Sequence, residues 1–331
     1  MNPRIDVRGA RLRLLLLLCP FCLVRLASAQ NPQSTQSPSP TQSSSTIAAL
    51  PASKAPISKA LPKTLDASPT PSWPPSDVDE AVPPVESNRA CVLPQVLSRA
   101  AHRIEELVRD LDRFSATEIV QHQKVDHAGH LHEPETNRFD YLVSLSRRSG
   151  GFLNVEEYRK ARTGKDRFPD HVATEGTPSL VLLFHPRYAS NFSFNCEGLG
   201  EWRGKPAWQV RFEQRDIRRS MIAMVMEDHT YNVKIRGRAW IMADSYEVAR
   251  LETDLAQTIP SIHLRLDHQS VEYGPVRFPK SKVEIWLPSS TELFMDFQGH
   301  RFYRRHTFTD FNLFSVKIDQ EISDPPGYNA E

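Results

Sequence analysis

Glycine is scarce in this 331-residue chain, at 13 residues against 26 prolines. That scarcity excludes a collagen-like or glycine-rich repeat architecture. Neither sign of charge dominates, with 41 Lys+Arg and 40 Asp+Glu. Five of the basic residues (Arg4, Arg8, Arg11, Arg13, Arg25) and a single acidic one (Asp6) lie in the first 29 positions. The remainder therefore holds 36 basic and 39 acidic residues, a formal charge of −3, which is not the balance of a strongly basic nucleic-acid binder. Beyond those first residues no apolar run approaches the roughly 20 residues that a membrane-spanning helix needs. The commoner catalytic signatures are missing too. There is no G-x-S-x-G elbow and no H-E-x-x-H zinc motif. Gly198-Leu199-Gly200 is followed by Glu201, whose charge would repel a bound phosphate.

What is present begins with an address. Residues 4–13 are basic, Leu14–Leu18 opens an apolar stretch that continues through Phe21, Leu23 and Val24, and Ala27-Ser28-Ala29 supplies small residues at a cleavage site. This is the pattern of a secretory signal peptide spanning 1–29, and it implies a periplasmic or extracellular protein with no integral membrane span after cleavage. Cys19 and Cys22 leave with it, and the residues before them do not suit lipid acylation. Residues 31–90 then hold 12 Pro and 12 Ser, too little apolar surface to offset the entropy of ordering. A disordered Pro/Ser/Thr-rich tether over 30–90 is expected, then one folded domain over 91–322 and a disordered tail over 323–331.

Within the domain the apolar period is first helical. Val96, Leu97, Ala100, Ile104, Leu107, Val108 and Leu111 recur at three- and four-residue steps, predicting an amphipathic helix over about 93–113. After Phe114 the period becomes two. A hairpin follows, with Ile119 in one strand and Phe139, Tyr141, Val143 and Leu145 alternating in the next. Thr177-Pro178 starts a short second helix over Thr177–Phe184. The rest reads as strands: Trp208–Phe212, Val233–Ile241, Ile262–Leu266, Val283–Leu287, Leu293–Phe297 and Phe302–Ile318. Gly198, Gly204-Lys205-Pro206, Gly274-Pro275, Pro288-Ser289-Ser290 and Gln298-Gly299 are the turn signals between them. The expected fold is α+β: a curved antiparallel sheet, an incomplete barrel, with the two helices laid across it. Cys91 and Cys196 remain after cleavage. In an oxidising compartment an even count points to a bridge, the alternative being two unpaired buried thiols.

Several segments carry a resemblance. They are Leu111-Asp112-Arg113-Phe114-Ser115-Ala116-Thr117 after the opening helix, Glu197-Gly198-Leu199-Gly200-Glu201-Trp202-Arg203-Gly204-Lys205 before a strand, and Gly237-Arg238-Ala239-Trp240-Ile241 with Ser245-Tyr246-Glu247-Val248-Ala249-Arg250-Leu251. A closing Phe308-Thr309-Asp310-Phe311 strand joins them. In this order they resemble the LolA/LolB-like outer-membrane lipoprotein-sorting fold, shared with periplasmic regulators of the MucB/RseB type. The resemblance implies a half-barrel lined by apolar side chains that accepts acyl chains or hydrophobic peptide segments without catalysis. The tether and the Cys91/Cys196 pair are departures from it.

Alternation nominates Phe139, Tyr141, Val143, Leu145, Ile262, Leu264, Leu266, Val283, Ile285 and Leu287 as faces of one interior, the candidate ligand-binding residues. Those faces either fill one another in a dry core or leave part of the interior open. The expected role is a non-enzymatic binding protein for an apolar small molecule or lipid, or for an envelope protein, with no cofactor and no nucleic acid. Two other readings stand beside it. His122, His127, His130 and His132 lie within eleven residues, and imidazoles flanked by carboxylates suit zinc, which would make a metal-dependent hydrolase. A purely structural envelope interaction module is the other. Near the C-terminus His300, Arg301, Arg304, Arg305 and His306 form a basic ribbon around Phe302 and Tyr303; alternation assigns Arg301, Tyr303 and Arg305 to one face, read as a solvated outer strand face.

Overall fold

A computed structural model describes residues 10–14, 72–86, 88–147, 152–163, 168–216, 222–226, 229–279 and 281–314. Apart from 10–14, the segment read as a signal peptide lies outside these residues, as do the tether up to residue 71 and the tail at 323–331.

Helix α1, Leu93–Asp110, starts with Pro94 in its first turn, where a missing N–H costs nothing. It buries Val96, Ala100, Ile104 and Val108, a single stripe at four-residue spacing. The expected end at 113 comes three residues early because Leu111 turns extended and Arg113 already starts a strand. Cys91, just before the helix, is bonded to Cys196, with Cα atoms 6.3 Å apart.

Ten antiparallel strands form the main sheet. They are β2 (Arg113–Lys124), β3 (Glu135–Arg147), β4 (Leu153–Thr163), β6 (Phe192–Trp202), β7 (Lys205–Gln214), β10 (Ile235–Met242), β11 (Val248–Leu255), β12 (Leu264–Phe278), β13 (Val283–Phe297) and β14 (His300–Phe314). Their order is β4-β3-β2-β14-β13-β12-β11-β10-β7-β6, an open sheet. The hairpin expected from Phe139–Leu145 is β2–β3, and β2 then zips onto the last strand, from Phe302↔Lys124 to Phe314↔Arg113. A smaller sheet is ordered β5-β1-β8-β9, from β1 (Ala10–Leu14), β5 (Val172–Thr174), β8 (Ile222–Met226) and β9 (His229–Val233).

Two of the expected turns are real. Arg203-Gly204 and Gln298-Gly299 both have positive φ at each residue (50° and 73°, 52° and 80°), as a two-residue hairpin turn requires. Two others are not turns. Gly274-Pro275 lies inside β12 and Pro288-Ser289-Ser290 inside β13, almost opposite each other, with Gly274 paired to Leu287 and Tyr273 to Pro288. Long-range pairing of β12 with β13 carries the chain through these weak formers, and a register shift at Glu272/Tyr273 absorbs the irregularity.

The second helix falls at Thr177–Phe184 as expected, in tighter 3-10 form, after Gly176 in the left-handed region. It and α1 cover the concave face of the sheet. The convex face is covered as well, by residues 72–86, which the sequence assigns to the tether. Val78 is fully buried and its N–H donates to Asp254 at 2.8 Å. Asp79 pairs with Arg211 at 2.6 Å and Asp77 with Arg236 at 2.5 Å. Arg238 donates to the carbonyl of Val78 and to Glu197. A side-chain carbon at Gly198, where φ is +147°, would stand 2.9 Å from Val85, so only glycine lets this strap approach.

Candidate functional site

The most apolar opening lies between α1, the 3-10 helix and the edge-to-centre strands β3, β12 and β13. Leu107 of α1, Leu111 just after it, Phe114 of β2, Val143 and Leu145 of β3, Val155 of β4 and Leu287 of β13 form its walls. Pro178, Val181 and Leu182 of the 3-10 helix roof it. The opening itself is narrow, about 50 Å³, and adjoins a mouth of about 240 Å³. The two share Leu107, Val181, Tyr273 and Trp286, so they lie side by side. Tyr273 joins floor to roof: its hydroxyl donates to the Pro178 carbonyl at 2.9 Å and accepts from the Val181 N–H at 3.2 Å.

The mouth is acidic. Glu106, Asp110, Glu247 and Glu284 line it with Arg103 as the one cation among its lining residues. Arg103 reaches Glu106 at 2.8 Å and Glu247 only at 3.9 Å. Burial, together with the charges of Glu106 and Glu284, therefore outweighs Arg103 and pushes the Glu247 carboxyl up to about 7.

Four of the ten residues expected to share one interior reach this cleft or its mouth: Val143, Leu145, Ile285 and Leu287. Val283 packs at the rim of the same apolar cluster. Ile262, Leu264 and Leu266 do not share a strand face, which corrects the sequence reading. Ile262 sits in a 3-10 turn, Pro260–Ile262, and a register shift pairs Leu264 with Phe297 but Leu266 with Asp296. Adjacent partners on β13 point to opposite faces, so Leu264 is buried in the main core while Leu266 is on the other side. Of Trp202, Trp208, Trp240 and Trp286, Trp286 lines the cleft.

Phe139 and Tyr141 belong to a second region of the same concave face, which is charged and shut. Glu118 is fully buried between Arg159 at 2.6 Å and His306 at 2.7 Å; against the cost of burial, the charge of Arg159 and the hydrogen bond from His306 hold its carboxyl down at about 2. Glu157, 3.0 Å from the same guanidinium, is pushed up by burial, so Glu118 is the principal counter-ion. Because His306 Nδ1 faces an ionised carboxylate it carries the proton, and Nε2 accepts from the Thr174 hydroxyl at 2.9 Å. Burial holds both His306 and His122 below the usual imidazole value. Arg159 lies over the ring of Tyr141 at 4.7 Å, and Phe139 stacks on Phe168 at 5.6 Å.

Arg304 is fully buried beside this group without a direct carboxylate partner, and burial lowers its guanidinium to about 9. It donates to the backbone carbonyls of Val172 at 2.6 Å and Pro169 at 3.1 Å, pinning the 169–174 segment across the sheet. Of the face read as solvated, Tyr303 is buried and Arg301 and Arg305 are half-buried. Arg304 and His306 point into the concave interior, and on the opposite face Tyr303 packs on Phe294 at 4.8 Å, under the strap residue Trp73. Alternation separates the two faces correctly, but it does not say that both are covered.

The histidine cluster comes apart. His122 is buried against Asp170 at 3.1 Å and His130 is exposed on Asp126 at 3.1 Å, while His127 and His132 are exposed in the loop. Among the described residues no group of three His, Cys, Asp or Glu is placed to hold a metal ion. No described helix is long and apolar enough to cross a membrane.

No family model matches the chain, and no curated protein does. Solved structures similar to it include a DUF1329 family protein from Desulfovibrio piger, with a TM-score of 0.38, 9% identity, and 71% of this chain and 96% of that one covered. Another is a putative outer membrane lipoprotein-sorting protein domain from Vibrio parahaemolyticus, with a TM-score of 0.35, 10% identity, and 66% and 92% covered. A third is MucB in complex with MucA(peri), with a TM-score of 0.20, 10% identity, and 66% and 100% covered. Two of these titles, the lipoprotein-sorting domain and MucB, name proteins of the kinds that the sequence resembles.

Proposed function

We propose that this protein is exported and, without catalysing a reaction, holds an apolar ligand, an acyl chain or lipid tail, in the cleft between α1, the 3-10 helix and β13. The observation that carries the reading is the apolar lining itself: side chains of α1, β2, β3, β4, β13 and the 3-10 helix converge on a narrow opening of about 50 Å³, which an acyl chain enters by parting the helices from the sheet. The Cys91–Cys196 bond fits an oxidising compartment outside the cytoplasm. The lipoprotein-sorting title of one similar structure is in keeping with a lipid-like ligand.

Each methylene removed from water contributes about 0.8 kcal/mol, so a fluorescent fatty-acid analogue should bind with a Kd on the order of micromolar or tighter. Leu145 is half-buried at the cleft wall, and Leu145→Trp should block the space without disturbing the core. Oleate-displaceable binding in the wild type, lost in the folded L145W variant, supports the reading. Absence of displaceable binding in the wild type overturns it.

A further inference from the structure

The ten-stranded sheet ends in two edges that are finished differently. β6 is capped: Glu86 of the strap bridges to Leu199, Cys196 is tied to Cys91, and a register shift between Cys196 and Gly198 breaks its outline. Such devices keep a sheet edge from pairing further. β4, at the other end, has no strand beyond it among the described residues. It runs in unbroken register with β3 from Ala161↔Phe139 to Leu153↔Arg147. The Leu153 N–H points away from β3, donating to the Tyr188 hydroxyl at 3.0 Å. Every second residue shares that direction, so Val155, Glu157, Arg159 and Ala161 carry the outward row. Among the described residues their backbone groups make no bond beyond β3.

The sequence of β4 is its own complement. With a second copy laid antiparallel about a two-fold axis at Tyr158, Glu156 stands opposite Lys160, Glu157 opposite Arg159 and Val155 opposite Ala161. Every charge meets its opposite and Tyr158 meets itself. Moving the axis by one residue sets Glu157 or Arg159 against its own copy. Glu156, Tyr158 and Lys160 are exposed, and in this register they fall on the positions where facing side chains approach most closely. Tyr158, 54% exposed, donates its hydroxyl to Glu156 at 2.9 Å.

We propose that β4 is a homodimerisation edge: two copies of the chain join antiparallel along residues 155–161, and the sheet continues from one copy into the other through a two-fold axis at Tyr158. The outward row supplies the ladder bonds, and the Glu156–Lys160 pairs set the register. Other segments of the chain fit this edge poorly. Residues 41–50 form the longest proline-free run of the tether and hold no charged side chain, so they leave Glu156 and Lys160 unmatched. The tail matches both charges only with Lys317 opposite Glu156 and Glu321 opposite Lys160. Phe314 stands in one row with Arg113, Ser144 and Glu156. Lys317 would therefore have to cross four strand spacings, about 19 Å, with three residues that reach about 10 Å.

Sedimentation velocity on the full chain, from about 1 to 300 µM, reads the association. A contact of two strands is small, so a monomer–dimer equilibrium within that range is expected, with amide exchange at Val155, Glu157, Arg159 and Ala161 slowing as the dimer fills. Glu156→Lys and Lys160→Glu each oppose like charges twice across the axis, and each alone should weaken association at least about tenfold. Mixed in equal amounts, the two variants complement each other and should form a heterodimer close to wild-type affinity. The double variant E156K/K160E should likewise associate with itself. Because both variants must be folded to pair, this rescue separates a lost interface from a lost fold. A wild type that stays monomeric throughout the range overturns the proposal. So does a dimer that either single variant leaves intact, or one that the mixture fails to restore. Dimerisation that appears only when residues 41–50 or 315–331 are deleted makes that segment the resident strand of the edge, and overturns the assignment to a second copy.

Discussion

The two halves of the concave face are built from the same strands and end in opposite states. Towards the start of β2 the face is apolar and open: Phe114, Val143 and Leu287 meet the helices across an unfilled cleft. Further along the same strands Glu118, His122, Arg304 and His306 point the same way, and there the face is closed by residues 168–174. The difference follows from what each half can tolerate. Apolar walls can face a gap at the modest cost of lost dispersion contacts. Buried charges cannot, because each needs its partners in hydrogen-bonding reach, so the charged half recruits a covering segment through its own donors.

The largest expected effect tests that closure. Glu118→Ala leaves Arg159 without its principal counter-ion and the His306 Nδ1–H without its acceptor and should cost about 3–5 kcal/mol in denaturant unfolding, while fatty-acid binding at the other end survives wherever the variant is folded. A cost under about 1 kcal/mol would mean that the charged half is not a coupled unit. The wild type should also lose this contribution in acid. Glu118 is ionised in the folded chain down to about 2 against an ordinary 4.5, so its stabilisation is complete above 4.5 and disappears as the pH falls towards 2.

A smaller loss is expected in the open half. Leu287→Ala removes a nearly fully buried side chain at the cleft wall and should cost about 2–4 kcal/mol by calorimetry. It should also improve binding of bulkier acyl probes, because the lost volume is added to an existing space. If bulky probes gain nothing, the cleft does not extend to Leu287.

The smallest effect sharpens the boundary between the halves, at the acidic mouth. Glu247 keeps its proton in the folded chain up to about 7 but releases it near 4.5 when unfolded, so the wild type loses stability as the pH rises through that window. Glu247→Gln should match the wild type near pH 4 and exceed it at pH 8 by about 1–3 kcal/mol, read from paired melting curves. A pH-independent difference would mean that Glu247 titrates normally and that the mouth is fully hydrated.

Much of this architecture is legible in local pattern. The four-residue stripe from Val96 to Val108, the Phe139–Leu145 alternation and the Gln298-Gly299 turn each depend on neighbours within a few residues, and each lands where expected. The misreadings share a cause. Gly274-Pro275 and Pro288-Ser289-Ser290 have the chemistry of turns, yet pairing across β12 and β13 overrides it. The Leu264/Leu266 bulge is invisible to an alternation count because nothing in those residues announces an extra one. The charged network was missed although Glu118, His122, Arg304 and His306 hold the even positions of β2 and β14, the parity of Phe114, Phe302 and Phe308. Following that parity through the charged residues is the signal that would have found it.

Sequence by itself determined the α+β class, the strand-rich meander, the facing of each side chain within a strand and the presence of two cysteines able to pair. These are consequences of backbone period and local conformational preference, which act over a few residues. Only the tertiary structure decided which faces are covered, since cover comes from segments distant in the chain: the strap at 72–86 on the convex side, residues 168–184 on the concave side, and β1 between β5 and β8. An open cleft is the space such segments fail to fill, and that depends on the meeting of side chains from six separate elements rather than on any one stretch of residues.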